Sequence, residues 1–250
     1  MLTDELIRYI YDGRPHLLME PMENWLASSR RFTSFVNNFK DKIRKKIYST
    51  QDQENLLDLR LELETAYLLL REKSLNLEYE PIKSKKTRGP DFAVTFTTSL
   101  TFMVEVTRLQ AYKKSISSDL QEQTSKTVPT STWIDMRLAD AISSKLGQLL
   151  SQSSNVLLVG TEDSTPTQSD LRATMLHIEQ RVQQNDEVFL HRYQFRDRSE
   201  FFQHYQRLSE ILVRESNLQE AKSITSWVNP QAKYPLPSRV RTTLYRSHTI

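Results

Sequence analysis

Gly89-Pro90-Asp91-Phe92-Ala93-Val94-Thr95-Phe96, then Thr97-Thr98-Ser99, then Leu100-Thr101-Phe102-Met103-Val104-Glu105-Val106-Thr107 is the stretch that decides this fold. Two short runs rich in β-branched and aromatic residues flank three small polar residues, the pattern of a hairpin. If the turn centres on Thr98, Asp91 lies opposite Glu105. A one-residue change of centre leaves them neighbours, because cross-strand partners are only about 5 Å apart. Two carboxylates side by side on a half-buried sheet repel each other unless a cation lies between them. The pair therefore points to a divalent metal site.

The elements around the hairpin set its context. Before it, 54–73 has helical spacing and 75–82 is strand-like. After it, 111–130 is rich in Ser, Thr, Gln and Lys and reads as a loop. A helix follows over 132–150, and Asn155-Val156-Leu157-Leu158-Val159-Gly160 reads as a buried strand. The order helix, three strands, helix, strand predicts an α/β sandwich on a mixed sheet. Further out, a short helix runs through Leu6, Ile7 and Ile10, broken at Gly13 and Pro15. From 22 to about 48, Trp25, Leu26, Phe32, Phe35, Val36, Phe39, Ile43 and Ile47 recur at three- and four-residue steps. Helical patterns return at 169–184 and 199–215, and 224–228 looks like a last strand. Residues 1–50 then form an N-terminal helical extension packed on an α/β domain spanning 51–250.

The two helices next to the hairpin each carry a charge on an apolar face. On a helical wheel Glu62 falls among Leu59, Leu63, Ala66, Leu69 and Leu70, where a carboxylate needs a partner or must sit at the face's edge. A metal or a metal-bound water would be such a partner. Glu64 falls beside Arg60 and Arg71, which predicts a surface ion pair. Lys145 falls among Ile134, Leu138, Ala141, Ile142 and Leu149, with Gln148 on nearly the same side. It either snorkels outward or is held by buried carboxylates.

The Pro90-Asp91 and Glu105-Val106-Thr107 strings resemble the PD-(D/E)XK nuclease superfamily, the restriction-endonuclease-like fold. The resemblance covers roughly residues 54–160. It implies an αβββαβ core with a mixed central sheet flanked by helices, to which the N- and C-terminal helices are additions. It also implies Mg²⁺ or Mn²⁺ held by Asp91 and Glu105 with help from the helix acid Glu62, and a DNA phosphodiester substrate. In that family a lysine two residues after the second acid orients the attacking water. Thr107 stands there in this chain, and Lys145 is the candidate replacement. The implied catalytic set is Asp91, Glu105, Lys145 and Glu62. Members of the superfamily that have lost activity keep the fold, so a silent module for nucleic-acid or protein binding is the alternative. A third reading is a purely structural α/β protein whose acids are exposed. The resemblance also leaves room for a homodimer.

Composition permits these readings and excludes others. The 250-residue chain is 38% hydrophobic, with a formal net charge of +3 and a pI near 9.0. That mild basicity permits a nucleic-acid partner without demanding one. Lys83, Lys85, Lys86 and Arg88 precede Asp91 directly and are either phosphate contacts or a plain exposed loop. Lys40, Lys42, Arg44, Lys45 and Lys46 leave the same two alternatives open, a solvated helix face or a phosphate-binding surface. With no cysteine there are no disulfides, thiolate metal sites or cysteine nucleophiles. Four glycines (Gly13, Gly89, Gly147 and Gly160) form no phosphate loop or dinucleotide fingerprint. His16, His177, His191, His204 and His248 lack zinc spacing. No signal peptide or membrane-spanning run is visible, so a cytoplasmic protein with no membrane partner is expected.

Overall fold

A computed structural model describes residues 3–50, 52–82, 89–109, 130–162, 165–215 and 224–249, with the side chains of 130–135 and 249 left aside. The N-terminal part is helical: α1 (Thr3–Tyr11), α2 (Met19–Ser28), α3 (Arg30–Ser49) and α4 (Gln53–Arg71). Three strands follow, β1 (Leu75–Tyr79), β2 (Phe92–Phe96) and β3 (Leu100–Arg108), then α5 (Thr130–Leu146) and β4 (Asn155–Thr161). The rest comprises α6 (Gln168–Gln183), α7 (Glu187–Arg192), α8 (Arg198–Tyr205), β5 (Leu208–Glu215), β6 (Ile224–Val228) and α9 (Ser238–Thr249).

The six described strands form one open sheet in sequence order. β1, β2 and β3 pair antiparallel, β3, β4 and β5 pair parallel, and β6 returns antiparallel on β5. The chain is therefore α/β with a mixed sheet. Alternation along the central strands sorts two apolar layers. Phe102, Val104, Val106, Val156, Leu158 and Leu212 face one side, packed with side chains of α1, α2, α3, α4 and α9. Leu157, Val159, Ile211 and Val213 face the other, packed with α5, α6, α7 and α8. Helices on both faces are what buries central parallel strands completely.

Local chemistry explains the boundaries. The α4 start is capped by the Asp52 side chain, which accepts from the Asn55 N–H at 2.8 Å. α6 opens with a capping box between Thr167 and Asp170. The helix expected over 22–48 is two helices. Ser29 is extended and caps α3 by accepting from the Phe32 N–H at 3.2 Å, and α3 itself kinks at Phe39. α1 ends where Asp12 and Gly13 take positive φ. The strand expected over 75–82 stops at Tyr79 because Glu80 adopts a φ of 46°. α5 ends at Leu146, so Gln148 lies beyond the helix.

The expectation of a helix over 199–215 is corrected. Only Arg198–Tyr205 is helical, and Leu208–Glu215 is the strand β5, buried along nearly its whole length. A strand covered on both faces has no polar–apolar alternation to betray it. Ser209 and Glu210 further disguise it. The Ser209 hydroxyl donates to the Tyr234 carbonyl at 2.7 Å, and Glu210 accepts from Arg241 Nε at 3.0 Å. Phe201 and Tyr205 of α8 are fully buried core residues. No described helix is long and apolar enough to cross a membrane.

Candidate active site

The β2–β3 register pairs Phe92 with Val104 and Phe96 with Leu100, which centres the turn on Thr98. Continued by one residue, that register sets Asp91 opposite Glu105. Asp91 is tied down on both sides. Its Oδ2 accepts from the Val106 N–H at 2.8 Å, and its carbonyl accepts from the Glu80 N–H at 2.7 Å. The chain reaches Asp91 through Gly89, where a Cβ would come within 2.9 Å of the Ile82 Cβ. Only glycine fits that approach without a shift.

Glu105 is 2% exposed on β3. Lys145 reaches it from α5, its Nζ donating to Oε1 at 2.6 Å. Burial, and next the charge of Glu105, push the Asp91 carboxyl up to about 7, against the pull of the Val106 N–H and of Lys145 and Lys46. Three elements thus bring Asp91, Glu105 and Lys145 into one electrostatic unit.

Glu62 of α4 stands beside this unit. Burial, and next the charge of Asp91, raise it to about 7. Its partner is Lys46 of α3, which donates to Oε1 at 2.7 Å and to Oε2 at 3.0 Å. Lys46 also pairs with Glu80 at 2.8 Å and lies 4.7 Å from the centre of the Tyr79 ring. Burial works to lower the Lys46 ammonium, but the two carboxylates outweigh it and raise it. Burial likewise works to raise Glu80, and the Lys46 and Lys42 ammoniums bring it below the usual range. Lys42 donates to the Tyr79 carbonyl at 2.8 Å and pairs with Glu80 at 3.6 Å. Tyr79 is buried, and its hydroxyl is pushed well above its ordinary pKa by burial and the neighbouring acids.

Tyr79 and Glu80 were not singled out in the sequence, and Lys42 and Lys46 were read there only as a solvated helix face or a phosphate-binding surface. The usable signal was there: Lys42 and Lys46 are four apart and share a helix side, next to the buried Ile43 and Ile47. Of the basic run at 40–46, these two are engaged by the protein itself, Lys40 lies 5.2 Å from the centre of the Tyr9 ring, and Arg44 pairs with Asp12 at 3.6 Å. Lys45 is exposed. Lys83, Lys85, Lys86 and Arg88 lie outside the described residues.

Two further positions resolve differently. The expected surface ion pair of Glu64 is corrected: Glu64 is 1% exposed and meets the buried Arg214 of β5 at 2.8 Å. α4 is covered on most of its circumference, so the wheel position beside Arg60 and Arg71 is not a solvent position. Thr107 lies two residues beyond Glu105, on the same side of β3. Arg108 points to the opposite face, where it pairs with Glu54, with Asp58 at 3.0 Å and with Glu162 at 2.9 Å.

Among the described residues, no group of three or more His, Cys, Asp or Glu side chains is arranged to hold a metal ion. Asp91 and Glu105 nevertheless offer what a hard divalent ion takes. Their donors are all oxygen, and Mg²⁺ commonly uses one or two carboxylates and completes its shell with water. The charge of Glu105 that lifts Asp91 is a repulsion that a cation would relieve. No family model matches the chain, and no curated protein or solved structure matches it.

Proposed function

We propose that this protein is a Mg²⁺-dependent nuclease-like protein acting on DNA phosphodiester bonds, centred on Asp91, Glu105 and Lys145. The observation that carries the reading is the Lys145 ammonium, 2.6 Å from Glu105 and within electrostatic reach of Asp91. The order α4, β1, β2, β3, α5, β4 agrees with the αβββαβ order of the PD-(D/E)XK superfamily. Asp91 and Glu105 would hold the ion. When bound, it would lower the pKa of a coordinated water and polarise the scissile phosphate.

The chain's own groups divide the remaining work. Asp91 is fixed by the Val106 N–H, so its carboxylate needs little reorganisation to act as a ligand. Lys145 engages Glu105 through Oε1, and from there it can orient a water and donate to charge developing on a phosphate oxygen. It supplies from α5 the cation that Thr107 cannot supply from β3. Glu62 contributes negative charge beside Asp91 from α4. DNA as substrate rests on the basic residues Lys83, Lys85, Lys86 and Arg88 ahead of Asp91 in the sequence.

One observation favours a second reading. A direct Lys145–Glu105 ion pair neutralises Glu105 by itself, which would let a silent nuclease fold persist without metal. The test incubates the protein with supercoiled and linear DNA in Mg²⁺, Mn²⁺ or EDTA, beside the Asp91→Asn variant. Metal-dependent cleavage that Asp91→Asn abolishes supports the nuclease. DNA retention without cleavage supports a silent nucleic-acid-binding module, and neither result leaves a protein-binding module or a structural protein.

A further inference from the structure

We propose that the Lys46 ammonium is a built-in cation that keeps Glu62 out of the metal's coordination shell and limits the site to a single divalent ion. This inference rests on the divalent-ion reading above and specifies its stoichiometry.

One ammonium takes both oxygens of Glu62, at 2.7 and 3.0 Å. Lys46 is held there from several directions. Glu80 pairs with it at 2.8 Å, and the Tyr79 ring face lies 4.7 Å away, a cation–π geometry. Glu80 is itself held by Lys42. The Glu62 side chain is less exposed than that of Lys46, 11% against 29%, so the acid is the more deeply buried member of the pair. A divalent ion on Glu62 would have to displace this ammonium or sit in contact with it, and two adjacent cations repel.

Charge balance points the same way. The acids of the cluster are Glu62, Glu80, Asp91 and Glu105, and the cations that pair with them are Lys42, Lys46 and Lys145. Fully ionised, that set is one negative charge in excess. One divalent ion turns that excess into a single positive charge, and a second would leave three, a large surplus in a partly buried cluster. Two-metal phosphodiester chemistry uses its second ion as a further positive charge beside the reacting phosphate. In this site Lys46 supplies a fixed charge at the helix acid instead.

The experiment is calorimetric titration of the full chain with Mn²⁺, for wild type, Glu62→Gln, Lys46→Met and the double variant, with folding checked by circular dichroism. Wild type should bind one Mn²⁺. Glu62→Gln should bind it with a Kd within about threefold of wild type, because Glu62 is not a ligand. Lys46→Met should release Glu62 and either add a second Mn²⁺ or tighten the first by about tenfold, a gain that the double variant loses. Two ions on wild type would overturn the inference. So would a tenfold weakening in Glu62→Gln, or a folded Lys46→Met that binds like wild type. If Lys46→Met does not fold, wild type and Glu62→Gln decide alone. Absence of any Mn²⁺ binding to wild type would remove the divalent-ion reading and this inference together. One bound ion with contrary variants would remove only the role of Lys46.

Discussion

Glu64 of α4 and Arg214 of β5, 150 positions apart in sequence, form an ion pair at 2.8 Å with both side chains essentially sealed from water. It ties the N-terminal helical layer to a central strand of the sheet. Removing one member of a buried pair strands the other charge, which typically costs about 3–5 kcal/mol, whereas an apolar pair of similar volume is often neutral. Arg214→Met is therefore expected to lose about 3–5 kcal/mol in urea denaturation. The double variant Arg214→Met with Glu64→Leu should recover most of that loss. Equal losses in the single and double variants would show that packing, not the stranded charge, sets the cost.

Asp91 and Glu62 give the apoprotein a pH dependence of predictable sign. Both carboxyls are raised to about 7 in the fold, so between roughly pH 4 and 7 the native state holds protons that the unfolded chain has released. Their contribution to stability is full below the unfolded values and is lost as pH rises through about 7. Chemical denaturation from pH 4.5 to 8 should show stability falling across that window, and Asp91→Asn should flatten the fall. A wild-type profile that rises from pH 5 to 7, with no change in Asp91→Asn, would contradict the assignment.

Lys145→Met separates water orientation from metal binding. If the protein cleaves DNA, this variant should lose on the order of 10²–10³-fold in kcat, the cost typical of removing one stabilising donor. Its Mn²⁺ binding should persist, and tighten rather than weaken, because the ammonium is not a ligand and its removal frees Glu105. An active Lys145→Met variant would leave the Glu105 pair with a purely structural role.

The reassignment of 208–215 to a central strand is testable by truncation. Leu212 is fully buried between β5 and the α4 side of the sheet. Leu212→Ala should cost about 2–5 kcal/mol by lost burial and cavity formation. Leu176, 53% exposed on α6, provides the control, and its alanine variant should stay within about 0.5 kcal/mol of wild type. Comparable small changes at both positions would place Leu212 outside the core.

Local pattern by itself determined the hairpin and set Asp91 and Glu105 as neighbours, and the structure fixed the turn centre at Thr98. The turn residues Thr97, Thr98 and Ser99 and the β-branched strands beside them are neighbours in sequence, so the pairing that sets Asp91 opposite Glu105 follows from short-range geometry. The positions of Lys145 and Glu62 on apolar helix faces were legible for the same reason, while the burial of Glu62 was decided by the fold. Tertiary structure alone decided which charges meet. Lys46 finds Glu62 and Glu80 because α3 folds back beside α4 and β1, and Glu64 finds Arg214 because β5 enters the sheet centre. A helical wheel records which side a residue is on, but not what covers that side. β5 itself was hidden because burial on both faces erases the alternation by which a strand is read.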